Sequence, residues 1–251
     1  MRLDQRLVAQ GLAASRARAR ALIAAGVVTV AGKIVSKPAS TADGPIEVRG
    51  NPNPWVSRAA LKLVHALDQF GLAPTGTALD LGASTGGFTE VLLARGAAHV
   101  HAVDVGHGQL HQSLVADPRV TDHSGVNARD LASLGISSVD WITADLSFIG
   151  LEKALPPALG LAKQGSCLVA LIKPQFQSRP QDVGKGGLVR DPAVHRQACE
   201  TVTAFLREKG WTILGVTDSP IEGSDGNREF LIAAQQDRTE KPGRHPHRTL
   251  L

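Results

Sequence analysis

Residues 79–106 constrain the fold of this chain more than any other stretch, and they read LDLGASTGGFTEVLLARGAAHVHAVDVG. A short apolar run leads into a glycine-rich turn, which is followed by a helix-like segment and a second apolar run that ends at Asp104. This order of strand, turn, helix and strand is the unit of a doubly wound parallel sheet, whose ligands bind at the carboxyl ends of the strands. The pattern by itself leaves a dinucleotide, a phosphate group and S-adenosylmethionine open as the ligand.

Strand-like and helix-like segments alternate through much of the remaining chain. The strand-like segments are residues 78–81, 99–104, 139–144, 167–172, 212–217 and 230–233. Helix-like segments lie between most of them, and we expect a helix that Ser57 caps to run through Phe70. The alternation predicts an α/β fold in which a mostly parallel sheet carries helices on both faces.

The first 48 residues predict a separate, small α+β domain. Leu3 and Leu7 suit a short helix, Ser15 can cap a second helix, and two short strands surround the Ala-Gly turn at residues 31–32. The polar, turn-rich stretch RGNPNP at residues 49–54 is expected to be a linker. Residues 55–236 then form the main domain, and residues 237–251 are expected to form a flexible tail.

Basic charge is concentrated in the N-terminal domain. Residues 1–48 contain seven Lys and Arg against three acids, whereas residues 49–251 contain 20 bases and 20 acids. Arg16 and Arg20 are four residues apart and therefore share one face of the second helix. A basic appendage on a neutral domain predicts a polyanionic partner.

Composition excludes several classes of protein. The chain has 251 residues, of which 43% are hydrophobic, and no run of about 18 apolar residues that could cross a membrane. The N-terminus lacks the apolar core of a signal peptide. The only two cysteines, Cys167 and Cys199, are too few for a disulfide framework and are expected to be reduced. These features predict a cytoplasmic protein.

Two details of the glycine turn favour S-adenosylmethionine over a dinucleotide. The spacing from Gly82 to Gly86 and Gly87 departs from the G-x-G-x-x-G pattern of dinucleotide-binding turns. Asp80 ends the strand before the turn, where a negative charge would repel a pyrophosphate but attract a cationic sulfonium and an ammonium group. Asp104 stands at the end of the next strand and suits the two hydroxyls of a ribose.

Four charged residues stand at positions that could converge above the sheet. Asp145 and Lys173 end strand-like runs, Glu229 begins one, and Lys62 lies on the helix that enters the main domain. Two lysines and two acids suit deprotonation of a sugar hydroxyl, because an alkoxide at neutral pH needs a base or a cationic environment. The alternative interpretation is that these residues form two ordinary ion pairs.

Other methyl acceptors fit the sequence less well. Methylation of the adenine amino group usually goes with a D/N-P-P-Y/F stretch, and the corresponding place here reads ADLSF. Methylation at carbon five of a pyrimidine needs a cysteine nucleophile, and neither cysteine stands at a strand end. His107 and His111 have the spacing of metal ligands on a helix but lack partners, so we expect no metal site.

At these residues the chain resembles the FtsJ-like ribose 2′-O-methyltransferases, and more closely their TlyA, or hemolysin A-like, rRNA-modifying family. The matching stretches include WVSRAALKL, DLGASTGGFTEVLLARGA, ADLSFI, LIKPQF, GGLVRDP and GNREF. The resemblance implies a Rossmann-like methyltransferase with a mostly parallel seven-stranded sheet. It also implies a Lys-Asp-Lys-Glu catalytic tetrad, which the chain matches at Lys62, Asp145, Lys173 and Glu229.

The same resemblance implies a site for S-adenosylmethionine. Its residues would be Asp80, Gly82, Ala83, Ser84, Gly86, Gly87, Phe88, Asp104, Val105, Asn127 and Ala128, with Asn127 and Ala128 near the adenine. Our hypothesis for the chemistry is that Lys173, oriented by Asp145, acts on the hydroxyl, while Lys62 stabilises the alkoxide. Glu229 would position a lysine or the ribose.

The N-terminal domain resembles the RNA-binding fold first seen in ribosomal protein four of the small subunit. The residues expected to contact RNA are Arg2, Arg6, Arg16, Arg18, Arg20, Lys33, Lys37 and Arg58. The family implies 2′-O-methylation of cytidine in the rRNA of ribosomal subunits, here by a monomer. The start at MRLD lacks the extra basic residues of longer dual-specificity members, which favours the large subunit.

Three alternatives to this enzyme remain at the level of sequence. A ribosome-assembly factor could keep the RNA-binding domain and an inactive sheet, although a mere binder has no need for Lys173. A membrane-lytic protein is suggested by the hemolysin name alone, without a spanning segment to support it. A nicotinamide-dependent enzyme would share the glycine turn and the acid that binds ribose.

Overall fold

The structure is a computed structural model that describes residues 1–13, 15–49, 54–223 and 225–237. The chain divides into two compact units, Met1–Pro54 and Trp55–Leu251. The predicted tail falls almost wholly outside the described residues, as do residues 50–53 of the predicted linker.

The N-terminal unit packs two helices on a small antiparallel sheet. Its elements are α1 (Leu3–Ala9), α2 (Arg16–Ala24), β1 (Val28–Val30), β2 (Lys33–Ile34) and β3 (Ile46–Val48), with the strand order β2-β1-β3. The Oγ of Ser15 accepts a hydrogen bond from the backbone N–H of Arg18, which confirms Ser15 as the cap of α2. Leu3, Leu7 and Ile23 are buried and form part of the core of this unit.

The larger unit contains a seven-stranded, mostly parallel sheet, as predicted. The strands are β4 (Thr77–Leu81), β5 (His99–Asp104), β6 (Val120–Ser124), β7 (Val139–Ala144), β8 (Ala162–Ile172), β9 (Trp211–Asp218) and β10 (Phe230–Gln236). Their spatial order is β6-β5-β4-β7-β8-β10-β9, and β10 is antiparallel to both of its neighbours. The carboxyl ends of the central strands therefore lie at the same end of the sheet as the amino end of β10.

Helices cover both faces of this sheet. They are α3 (Ala60–Phe70), α4 (Gly87–Ala94), α5 (Gln112–Val115), α6 (Leu151–Ala154), α7 (Pro156–Leu159), α8 (Pro174–Gln177) and α9 (Pro192–Glu208). Successive residues of β4 point to opposite faces, so Ala78 packs with α3 and α4, whereas Leu79 packs with α6, α7 and α9. Both faces are buried, as a mostly parallel sheet requires.

Two expectations about these elements were wrong in detail. The strand β6 was absent from the strand-like segments, because its sequence, Val-Thr-Asp-His-Ser, is mostly polar and it lies at the edge of the sheet. Helix α3 begins at Ala60, and the Oγ of Ser57 instead accepts the N–H of Ala59 in the preceding turn.

In the part of the chain that the structure describes, no helix is long and apolar enough to span a membrane.

Candidate active site

The glycine turn between β4 and α4 needs glycine for steric reasons. Gly82 has a φ of +78°, and a Cβ there would collide with the backbone carbonyl of Asp145. Gly86 has a φ of +95°, and a Cβ there would collide with the side chain of Leu114. The turn is therefore compact, and it lies directly beside the segment that follows β7.

Asp104, at the end of β5, holds this turn in place. Its Oδ2 accepts the N–H of Ser84 at 2.8 Å, and its Oδ1 accepts the N–H of Gly106 at 2.7 Å. Ser84 itself has a φ of +48°, an unusual conformation for a residue with a side chain. The carboxylate thus fixes two loops and still contributes to the wall of the adjoining cavity.

A cavity of about 520 Å³ opens at the carboxyl ends of β4, β5 and β7. The predicted cofactor residues that line it are Gly82, Ser84, Asp104, Val105, Asn127 and Ala128. Gln109, Arg129 and Ile149 also line it and were not identified from the sequence. The volume lies in the range of small-molecule sites, which run from about 300 to 1,000 Å³.

The remaining predicted cofactor residues lie outside the cavity lining. Asp80 is buried on the other face of β4, where its carboxylate accepts hydrogen bonds from the hydroxyls of Thr89 at 2.7 Å and Thr143 at 2.9 Å. Burial raises the pKa of Asp80 to about 6. Ala83 and Phe88 belong to the apolar core under α4, and Gly86 and Gly87 shape the turn. The acids in the cavity wall are Asp104 and Asp145.

The four predicted catalytic residues form two ion pairs at the same end of the sheet, where the central parallel strands have their carboxyl ends. The Nζ of Lys62 lies 2.5 Å from Oε2 of Glu229, and the Nζ of Lys173 lies 2.6 Å from Oδ1 of Asp145. Phe230 of β10 is paired with Ile172 of β8, and this register places the adjacent Glu229 and Lys173 at one end of the sheet. The antiparallel direction of β10 therefore brings together residues that are far apart in sequence.

The two pairs differ in how far they are buried. The side chains of Lys62 and Glu229 are 7% and 3% exposed, whereas those of Lys173 and Asp145 are 11% and 17% exposed. Burial raises the pKa of Glu229, and the bond from Lys62 opposes that rise. Lys173 and Asp145 also influence this pKa, so the two pairs form one electrostatic cluster. Asp145 lines the cavity as well and joins the cluster to it.

Two more residues of the site, Ser147 and Phe148, lie in the segment after β7 and were not predicted from the sequence. The Oγ of Ser147 accepts a hydrogen bond from Nζ of Lys173 at 3.0 Å. Phe148 is 90% exposed with a φ of +63°, and its ring centroid lies 5.0 Å from that of Phe176. A large exposed aromatic side chain beside a cavity, on a residue with a strained backbone conformation, is a sign of function. Their signal in sequence was their place directly after Asp145.

The residues expected to contact RNA differ in their surroundings. Arg2, Arg16 and Arg20 come together around one carboxylate of the N-terminal unit, that of Asp4. Arg6 instead donates to the backbone carbonyls of residues 42 and 44, Arg18 lies on α2, and Lys33 and Lys37 are exposed. Arg58 lies in the larger unit, where it donates to the carbonyl of Glu222 at 3.3 Å. Among the described residues, no group of three or more side chains is arranged to hold a metal ion.

The sheet order, the cavity beside the glycine turn and the two lysine–acid pairs define a Rossmann-like methyltransferase. The profile of the FtsJ-like methyltransferase family matches residues 55–236, and that of the S4 domain matches residues 1–44. The 16S/23S rRNA (cytidine-2′-O)-methyltransferase TlyA of Mycobacterium tuberculosis is 46% identical over 236 residues, which cover 92% of this chain and 88% of that protein.

Two further relatives agree with this result. The 23S rRNA (cytidine-2′-O)-methyltransferase TlyA of Campylobacter jejuni is 34% identical over 179 residues, 70% of this chain and 69% of that protein. The solved structure of a candidate hemolysin from Streptococcus thermophilus has a TM-score of 0.74 at 36% identity, covering 95% of this chain and 89% of that one. The chain therefore belongs to the TlyA family of FtsJ-like methyltransferases with an N-terminal S4 domain.

Proposed function

We propose that this enzyme transfers a methyl group from S-adenosylmethionine to the ribose 2′-hydroxyl of a cytidine in ribosomal RNA. The observation that carries the proposal is the position of Asp145, which lines the cavity and pairs with Lys173 at 2.6 Å. A methyl donor in the cavity and a hydroxyl at Lys173 would thus be neighbours. Two of the rRNA methyltransferases similar to this chain have names that specify cytidine-2′-O-methylation.

The residues around the cavity fit S-adenosylmethionine. The turn from Gly82 allows close approach of backbone, the carboxylate of Asp104 suits ribose hydroxyls, and Asn127 and Ala128 offer a polar and an apolar contact for a purine. Asp145, which belongs to the catalytic cluster and also lines the cavity, would favour a positive sulfonium electrostatically. When bound, S-adenosylmethionine supplies an electrophilic methyl group.

Lys173 is the residue that would accept the proton of the 2′-hydroxyl. Asp145 and Ser147 each hold its nitrogen at a defined distance, 2.6 and 3.0 Å, so the amine is oriented before the RNA arrives. The amine of Lys173 would take the proton as the ribose oxygen forms its bond to the methyl carbon, while the methyl–sulfur bond breaks and S-adenosylhomocysteine leaves. No covalent enzyme intermediate is needed.

Lys62 would stabilise the developing negative charge on the ribose oxygen. It is buried with Glu229, and an ammonium group in a poorly solvated site attracts an alkoxide more strongly than one in water does. Glu229 acts as the positioning residue that keeps Lys62 in place. Phe148, beside the same cavity, offers its exposed ring as a stacking surface for the target base.

The S4 unit would supply affinity for ribosomal RNA. Its basic residues suit phosphate contacts, and such binding would weaken steeply with salt. We propose the large subunit as the first substrate to test, because 23S rRNA is the substrate common to the names of both relatives. A ribosomal substrate also implies that the enzyme works in the cytoplasm, and we propose that it does so as a monomer.

The test is methyl transfer from labelled S-adenosylmethionine to large subunits, small subunits and naked rRNA, followed by nucleoside analysis. The wild type is compared with Lys173→Ala and with a matched control, Lys163→Ala. Lys163 forms a similar pair with Asp140 across the same two strands, at 2.8 Å, but it is more exposed and lies at the other end of β8.

We expect label in 2′-O-methylcytidine with the wild type and with Lys163→Ala, and none with Lys173→Ala. Absence of label in every substrate, with tight RNA binding retained, would contradict the proposal and favour an assembly factor. Near-wild-type turnover by Lys173→Ala would contradict the proposed role of Lys173 but not the proposed function.

A further inference from the structure

The N-terminal unit contains a buried carboxylate surrounded by three arginines. Asp4, in the first turn of α1, is 0% exposed. Its two oxygens accept from Nε and Nη2 of Arg2 at 3.0 and 3.2 Å, from Nη2 of Arg16 at 3.2 Å, and from Nε of Arg20 at 3.3 Å. The arginines come from the chain before α1 and from two successive turns of α2, so the carboxylate joins two separate segments.

This group of residues carries a net positive charge. One acid faces three bases, and the hydrogen bond from Arg2 is the largest of the effects that lower the pKa of Asp4 to about 2. Asp4 therefore remains ionised at any physiological pH. A single ion pair would have sufficed to neutralise a buried carboxylate, and the other two guanidinium groups leave an uncompensated positive charge at the surface.

The arginines keep much of their hydrogen-bonding capacity. Their side chains are 42%, 52% and 55% exposed for Arg2, Arg16 and Arg20. A guanidinium group has five N–H donors, of which Arg2 uses two on Asp4, and Arg16 and Arg20 use one each. The remaining donors can face solvent, and planar guanidinium groups match phosphate oxygens well.

We propose that Asp4 is the positioning residue of an RNA-backbone site, in which its buried carboxylate holds Arg2, Arg16 and Arg20 together as one phosphate-binding group. The inference rests on the proposed function and deepens it, since it names the residue that organises the RNA contacts. Three long side chains in water lose conformational entropy on binding a phosphate, and Asp4 removes part of that cost beforehand.

This role predicts an effect opposite to that of simple charge. Asp4→Asn makes the chain more positive, so electrostatic attraction alone would tighten binding to RNA. If Asp4 organises the three arginines, the same substitution disperses them and weakens binding. Glu47→Gln is the matched control, because Glu47 forms an exposed pair with Arg49 in the same unit and its loss changes the net charge equally.

The experiment measures the Kd of the full-length variants for large-subunit rRNA at several salt concentrations. For Asp4→Asn we expect binding weaker by about tenfold and a slope of log Kd against log salt that is smaller by about two, because phosphate contacts are lost. Glu47→Gln should bind as tightly as the wild type or more tightly. In methyl transfer, the Asp4→Asn defect should appear in the KM for rRNA rather than in kcat.

Binding by Asp4→Asn as tight as that of the wild type, with an unchanged slope, would overturn the role of Asp4 while leaving the proposed function intact. Failure of the wild type itself to bind or methylate rRNA would overturn both. Should Asp4→Asn fail to fold, Arg16→Lys/Arg20→Lys keeps every charge but loses the planar groups and the Nε bond. Weaker RNA binding by the Arg16→Lys/Arg20→Lys variant than by the control Arg49→Lys supports the role of Asp4, and equal RNA binding by the two refutes it.

Discussion

The ammonium group of Lys62 lies 2.5 Å from the carboxylate of Glu229, and both side chains are more than nine-tenths buried. Removing one partner of such a pair leaves an uncompensated charge out of water. Glu229→Gln should therefore lower the free energy of unfolding by about 3 kcal/mol and also abolish methyl transfer. Urea denaturation and a turnover assay measure the two effects, with the exposed Glu208→Gln as the control.

The double variant Lys62→Met/Glu229→Leu separates stability from catalysis. Replacing both charges by apolar groups should recover much of the stability lost in Glu229→Gln, because no unpaired charge remains. Activity should stay absent, since the double variant lacks the cation that we propose stabilises the alkoxide. A double variant as unstable as the single one would contradict the charge argument.

The buried carboxyl of Asp80 predicts a pH dependence of stability. Burial raises its pKa from 3.8 to about 6, so the folded state favours the protonated form. Its contribution to stability is complete below pH about 4 and is lost as the pH rises through about 6. Asp80→Asn stays neutral, so the stability of the variant relative to the wild type should rise by about 3 kcal/mol across this interval.

Denaturation of both proteins at several pH values between about 3.5 and 7 gives the difference in their free energies of unfolding. This range includes both the ordinary and the raised pKa of Asp80. Because other titrating groups are common to the two proteins, they cancel in the comparison. Parallel curves for the two proteins would show that Asp80 titrates at its ordinary value, which would conflict with its burial.

Asp104 should matter for cofactor binding rather than for the chemical step. Asp104→Ala removes the acceptor of two backbone N–H groups and the proposed partner for ribose hydroxyls, so the affinity for S-adenosylmethionine should fall by about 30-fold or more. Calorimetry measures this. Asp122→Ala, on the neighbouring strand and outside the cavity lining, is the control, and Lys173→Ala should bind normally. Unchanged affinity in Asp104→Ala would rule out this ribose contact.

Phe148 should show a conflict between stability and function. Its φ of +63° costs free energy for a side-chain residue, so Phe148→Gly should raise the free energy of unfolding by about 1 kcal/mol. If the ring stacks on the target base, kcat/KM for rRNA should fall about tenfold in Phe148→Gly and be retained in Phe148→Trp. Loss of activity in the Trp variant as well would argue against stacking.

Local pattern was sufficient for much of the fold. The strands at His99–Asp104 and Val139–Ala144 have the predicted bounds, because each is rich in apolar residues and an acid either ends it or follows it directly. The cap at Ser15 and the shared face of Arg16 and Arg20 are likewise local properties of a helix. The edge strand Val120–Ser124 was missed, since a strand with one neighbour need not be apolar.

Position at the end or the start of a strand was sufficient to select three of the four catalytic candidates, and the fourth, Lys62, was selected on the helix that enters the main domain. What the sequence by itself determined is that Asp145 and Lys173 end neighbouring strands and that Glu229 begins another. The order of the strands in space decided the rest. Because β10 runs antiparallel beside β8, Glu229 lies at the same end of the sheet as Asp145 and Lys173, and it pairs with Lys62.

Only the tertiary structure decided which face each acid occupies and which partners it meets. Asp80 is one residue from the turn, yet the alternation along β4 directs it to the face that α3 and α4 cover, toward Thr89 and Thr143. Asp4 looked like one acid among several bases in the sequence, and the packing of α1 against α2 places it at the centre of three arginines. Spacing determines the faces of single elements, but contacts between elements depend on how those faces pack, which no local pattern contains.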